Sequence, residues 1–120
     1  MVGKGEAWRV PRGWPAAVSP PGSEDWEVTA AAWLLDLLPE LREYPTMRRH
    51  PILLAFHARH VLDGALEGAR RGYRAARSEL GAVVPPDVTA AALGEFRAEG
   101  QRLSDALRAV ELVEHALRGK

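Results

Sequence analysis

Nine prolines punctuate the chain, and their positions decide which stretches can be helical. Proline lacks a backbone N–H and clashes with the preceding turn, so it is tolerated in the first turn of a helix and breaks one elsewhere. Pro11, Pro15, Pro20 and Pro21 leave no room for a helix near the N-terminus, whereas residues 52–84 and 87–120 contain no proline at all. Those two stretches are filled by Ala, Leu, Arg and Glu, which are good helix formers. The chain carries 20 Ala and 14 Arg against a single Ile, so the fold class that follows is all-α.

Residues 1–22 read as an extended N-terminal arm, and residues 23–120 as a single helical domain. The arm holds Trp8 and Trp14, which a merely disordered tail seldom carries; both indoles are expected to dock on the helical body. Helices are expected over about 24–38, 51–80 and 87–118. Ser23 is placed to cap the first, with Glu24, Asp25 and Glu27 in its positive first turn. Pro39 ends it, because the residue before a proline avoids the helical region. Residues 39–50 form a connection, with one helical turn at Glu40–Glu43 before Pro45. Pro51 suits the first position of the second helix and Gly81 its C-terminal stop. Asp87 then reads as the cap of the third. Two helices of equal length joined across Pro85 and Pro86 make an antiparallel hairpin. With the first helix laid against it, the architecture is a three-helix bundle.

The heptad Leu93, Phe96, Gly100, Leu103, Leu107, Val110, Glu114 and Leu117 marks the seam of the last helix. The matching seam of the second helix is expected through Leu54, Ala58, Val61, Ala65, Gly68, Gly72 and Ala76. Each glycine inside a helix costs about 1 kcal/mol relative to alanine, so Gly64, Gly68 and Gly72 need a compensating contact. Phe96 seated in a notch at Gly72 is the expected one. The first helix is apolar on two flanks, which suggests a partner, most simply a second copy meeting it in a two-fold dimer. Its interface would use Trp26, Trp33, Leu34, Leu37 and Leu38.

Sixteen basic and sixteen acidic residues leave no net charge, which argues against a globally basic nucleic-acid binder. The absence of cysteine excludes a disulfide scaffold and thiolate-ligated metal. Met1–Glu6 lacks the apolar run of a secretory signal, and no stretch approaches the roughly 20 apolar residues that span a bilayer. A cytoplasmic protein that does not enter membranes is therefore expected.

Two constellations carry possible chemistry. Folding the hairpin brings His57 and His60 of the second helix toward Glu111, Glu114 and His115 of the third. Facing carboxylates and histidines of this kind hold metals in helical bundles. The competing reading is that Glu114, on a seam position, is neutralised by Arg48, Arg49, Arg59 or a histidine. The second constellation is Arg70, Arg71, Arg74 and Arg77, with Tyr73 among them, a pattern able to meet phosphates while the ring stacks on a base. Glu95 and Glu99 are expected opposite this stripe and would instead make it a salt-bridged flank. No serine sits in a nucleophile elbow and no phosphate-binding loop is present. No enzyme activity and no resident cofactor are expected, apart from the metal alternative.

Gly13-Trp14-Pro15, Ser19-Pro20-Pro21-Gly22, Trp33-Leu34-Leu35-Asp36, Arg48-Arg49-His50-Pro51 and Glu67–Arg74 together resemble a group of short helical proteins from GC-rich actinobacteria. The resemblance implies that the Trp-Pro arm and the Arg-Arg-His-Pro turn belong to the unit, and it transfers no site. The leading expectation is a non-catalytic interaction or accessory module that self-associates or docks on a protein partner. The alternatives are a metal- or ligand-binding protein using the histidine–glutamate cluster, and a nucleic-acid-associated regulator using the arginine stripe.

Overall fold

The computed structural model describes residues 10–119. Every regular element in it is helical: α1 (Trp26–Leu37), a 3-10 turn (Pro39–Glu43), α2 (Pro45–Arg49), α3 (Pro51–Leu80) and α4 (Pro86–Leu117). The long helices α3 and α4 fold back on each other as a hairpin. No helix is long and apolar enough to cross a membrane among the described residues. The chain divides into two compact units, one running to His60 and resuming at Arg108, the other Val61–Leu107.

In the first unit, the arm from Trp14 onward is held by tight turns. Trp14, Val18 and Ser23 each donate a backbone N–H to the carbonyl three residues back. Gly13 and Gly22 occupy positive φ, 95° and 89°, where an L side chain is strained. The Trp14 indole donates to the Val18 carbonyl at 2.9 Å, and its ring lies 6.2 Å from that of Trp26. Val18, Ala30 and Val113 form a buried cluster with Trp14, Trp26, Trp33 and Leu117 around it. The Trp14 half of the arm expectation therefore holds, whereas Trp8 lies outside the described residues.

The start of α1 differs from the sequence reading. Ser23 is buried, and its hydroxyl donates to the Pro20 carbonyl instead of capping the helix. The helix begins at Trp26, with Asp25 in the cap position and no side-chain cap bond. Thr29 then ties the arm to α1: its hydroxyl accepts from the Ser19 N–H and donates to the Trp26 carbonyl. The connection after α1 is more helical than expected, because Pro39 and Pro45 each open a short helix at its first turn. Pro86 does the same for α4, so Asp87 sits inside the first turn and is not its cap.

In the second unit, α3 ends as expected. The Gly81 N–H donates to the Arg77 carbonyl, and a Cβ on Gly81 would stand 2.6 Å from that oxygen, a contact open to glycine alone. The core of this unit is Leu62, Leu66 and Ala76 of α3 with Leu93 and Leu103 of α4. The α4 heptad thus reads correctly at Leu93, Leu103, Val110 and Glu114, all buried.

The α3 register does not. Leu54, Ala58 and Ala76 are buried, but Val61 is 37% exposed and Ala65 and Gly72 face outward. A straight helix repeats every 3.6 residues, so a strict seven-residue repeat drifts around it. The face that wins carries Leu62, Leu66 and Tyr73, which remove more apolar area from water than glycines do. Accordingly Phe96 does not fill a notch at Gly72. It stays 39% exposed, and a Cβ on Gly64, Gly68 or Gly72 would meet nothing within 4 Å.

Candidate functional site

The first unit gathers charge around one buried carboxylate. Glu114 lies on the seam of α4, 4% exposed. Arg59 of α3 grips it with two donors, Nε at 2.5 Å and Nη2 at 3.4 Å. Arg118, one turn further along, adds Nη2 at 2.7 Å. Burial pushes the Glu114 carboxyl upward, but hydrogen bonds and charge from Arg59 and Arg118 outweigh it and hold the group below its ordinary range. An isolated buried carboxylate is costly; here the surrounding guanidiniums make it tolerable. A seam glutamate neutralised by arginine is the competing reading of the sequence, and Arg59 is its partner.

Arg59, Arg118, Glu114, Glu111, His115 and Arg108 line a cavity of about 630 Å³. His57 and His60 do not reach it. Both are exposed, and His60 packs edge-on against Phe56 with centroids 4.7 Å apart. The five residues read as metal ligands therefore do not converge. Among the described residues no group of three or more His, Asp or Glu is placed to hold a metal ion. The physical reason is that two guanidiniums already occupy the carboxylate at the centre of the cluster.

The residues read as an interface on α1 are used within the first unit. Leu34 is fully buried, so it has no surface left for a partner. Trp26 and Trp33 pack on the Val18–Ala30–Val113 cluster, and Leu37 and Leu38 are half-buried.

In the second unit, the arginine stripe divides. Arg70 and Arg74 line a cavity of about 360 Å³ together with Tyr73, Phe96 and Arg97. Arg71 lines neither this cavity nor the next, and Arg77 borders a separate small cavity beside Gly81 and Pro86. Arg97 donates from Nη2 to the Tyr73 hydroxyl at 2.6 Å, and its guanidinium carbon lies 5.6 Å from the ring centroid. The expected salt bridges across the hairpin do not form. Glu99 pairs with Arg102 of its own helix, and Glu95 makes no ion pair among the described residues. Arg74 comes only within 3.9 Å of Glu67, both side chains more than half exposed.

Arg97 was not among the residues singled out from the sequence. The fold-back about Pro85 and Pro86 that sets Gly72 near Phe96 sets Tyr73 nearest Glu95, so the sequence places Arg97 only within a turn of Tyr73, and its long side chain closes the distance. A third surface lies alongside, an apolar groove of about 400 Å³ floored by Gly72, Ala75 and Ala76 and edged by Glu79 and Glu99.

No protein-family model, curated protein or solved structure matches this chain.

Proposed function

We propose that the chain is a non-catalytic helical interaction module that pairs with a second copy of itself through an exposed face of α3 in the second unit. The observation that carries this reading is the face made by Gly64, Gly68, Arg71, Ala75 and Glu79, spaced at helical intervals of three, four and seven. Its glycines meet no neighbour, so the roughly 1 kcal/mol each costs in a helix is not offset within the chain. A second chain laid against that face, the end of a helix and the turn after it together, makes use of the missing side chain at Gly68 through close backbone approach.

Charge complementarity selects a second copy as the occupant. Arg71 and Glu79 lie four residues either side of Ala75, and neither makes an ion pair among the described residues. An antiparallel two-fold crossing centred on Ala75 sets Arg71 opposite Glu79 of the second copy, twice, and sets Gly68 opposite Ala82, in the turn just past the end of α3. The interface expected on α1 is replaced by this one, since α1 is occupied within its own unit. The three-helix bundle belongs to the same proposal; its support is that α1 packs on the end of α4 in the first unit.

Charge exchange tests the reading. Glu79→Arg alone sets arginine opposite arginine and is expected to weaken self-association about tenfold, as like charges across an interface do. Arg71→Glu with Glu79→Arg restores opposite charges and is expected to recover it, read by sedimentation velocity. Equal association by all three proteins would contradict the crossing, and a different protein partner would then be the occupant to seek.

A further inference from the structure

The Arg70–Arg74–Arg97 cavity differs from an ordinary salt-bridged flank in one respect: no carboxylate lines it. The cavity in the first unit also holds three guanidiniums, Arg59, Arg108 and Arg118, but sets two glutamates among them. Three like charges around one small space repel each other unless an anion enters. The candidates to neutralise them are engaged elsewhere or distant, Glu99 on Arg102 and Glu67 no nearer than 3.9 Å to Arg74.

The rest of the lining narrows what such an anion would be. Tyr73 and Phe96 offer aromatic surface, and Phe96 is left 39% exposed with no partner packed over it. Arg97 is fixed by its bond to the Tyr73 hydroxyl, so one guanidinium is held in place before any ligand arrives. Gln101 lines the cavity edge, its amide nitrogen engaged by Asp105. A volume of about 360 Å³ falls in the lower part of the roughly 300–1,000 Å³ range of ligand pockets.

We infer that this cavity binds a small organic phosphate of the nucleotide class, its phosphate between Arg70, Arg74 and Arg97 and its flat ring against Tyr73 and Phe96. Guanidinium suits phosphate because its planar fork donates two parallel hydrogen bonds. Aromatic faces accept any base by stacking. The site is independent of the self-association face, which uses neither Arg70 nor Arg97.

Titration calorimetry of the full chain with adenosine 5′-monophosphate, at low salt, tests it. The expected result is saturable one-to-one binding, at least about tenfold tighter than inorganic phosphate because of stacking. Arg97→Gln is expected to weaken binding roughly tenfold or more, and Arg97→Lys to fall between the two. Tyr73→Phe keeps the ring but frees Arg97, and is expected to weaken binding several-fold. Arg77→Gln, outside the cavity, is expected to change nothing, and a Gly68→Glu monomer still binds. Arg97 is exposed, so an unaltered melting temperature separates these effects from unfolding. The proposal is overturned if no saturable binding occurs, if inorganic phosphate binds as tightly, or if Arg97→Gln binds unchanged. It is also overturned if a single-stranded oligonucleotide binds with steep salt dependence while the mononucleotide does not, the mark of a nucleic-acid surface.

Discussion

Three guanidiniums share a cavity with two carboxylates in the first unit, and three share a cavity with none in the second. The same contrast runs through the apolar residues. The first unit buries Val18, Ala30, Leu34, Leu54, Val110 and Val113 nearly completely and packs tryptophans around Val18, Ala30 and Val113. The second buries Leu62, Leu66, Leu93 and Leu103 less completely, at 6–7% exposure, and turns three glycines to open space, while both units keep large apolar side chains on the surface. Internal pairing and full burial belong to a region whose interactions are completed within the chain. Unopposed charge and bare backbone belong to a region that gains by meeting something else. The difference teaches that helical content alone says little about where function sits; what matters is which groups remain without a counterpart.

The largest effect that breaks or sharpens this comparison is in the first core. Leu34→Ala is expected to destabilise by about 3 kcal/mol, the usual cost of emptying a fully buried leucine site. Phe96→Ala, despite the larger side chain, is expected to cost under about half of that because it is already partly hydrated. Urea unfolding of the two variants measures the ratio; equal losses would erase the distinction between the units.

Next comes the buried carboxylate. Glu114→Gln is expected to cost about 2 kcal/mol near neutral pH, because it weakens the three charged hydrogen bonds from Arg59 and Arg118. The carboxyl is held below its ordinary range in the folded protein, so the unfolded chain binds more protons across that interval. Its stabilisation is therefore full above about pH 4.5, the ordinary value, and is lost as pH falls through the depressed one. Wild-type protein should lose stability more steeply than Glu114→Gln as pH falls below about 4.5, the ordinary value, measured by urea titration at each pH. Parallel curves would show that the pair does not act as described.

The glycines give a smaller effect of opposite sign. Gly64→Ala, Gly68→Ala and Gly72→Ala are each expected to stabilise the chain by up to about 1 kcal/mol, since the added methyl meets nothing and the helix gains. Gly81→Ala is expected to destabilise, because its methyl runs into the Arg77 carbonyl. Thermal melts of the four variants resolve the sign at each position.

These cases also show what was legible in the sequence. Pro51 and Gly81 mark their helix ends through backbone chemistry that no tertiary contact overrides, and Glu114 declares its need for a partner by sitting on a seam. Ser23 misleads because the Pro20 carbonyl competes successfully for its hydroxyl. The α3 register misleads because its glycines permit either of two adjacent faces, and burial of Leu62 and Leu66 decides between them. His57 and His60 share a helix with Arg59, but spacing along one helix does not say which of the three faces Glu114. The acid-free cavity depends on Glu99 choosing Arg102 over the facing arginines, a competition between short-range and cross-hairpin pairs that sequence leaves open.

Sedimentation velocity of the chain and of Gly68→Glu, across a hundredfold range of concentration, tests the central claim most directly. A Cβ at position 68 meets no neighbour within the chain, so the variant should fold with the helical content of wild type. The account predicts a concentration-dependent dimer for wild type and a monomer throughout for Gly68→Glu. A wild-type chain that stays monomeric, or a variant that dimerises equally well, would contradict it.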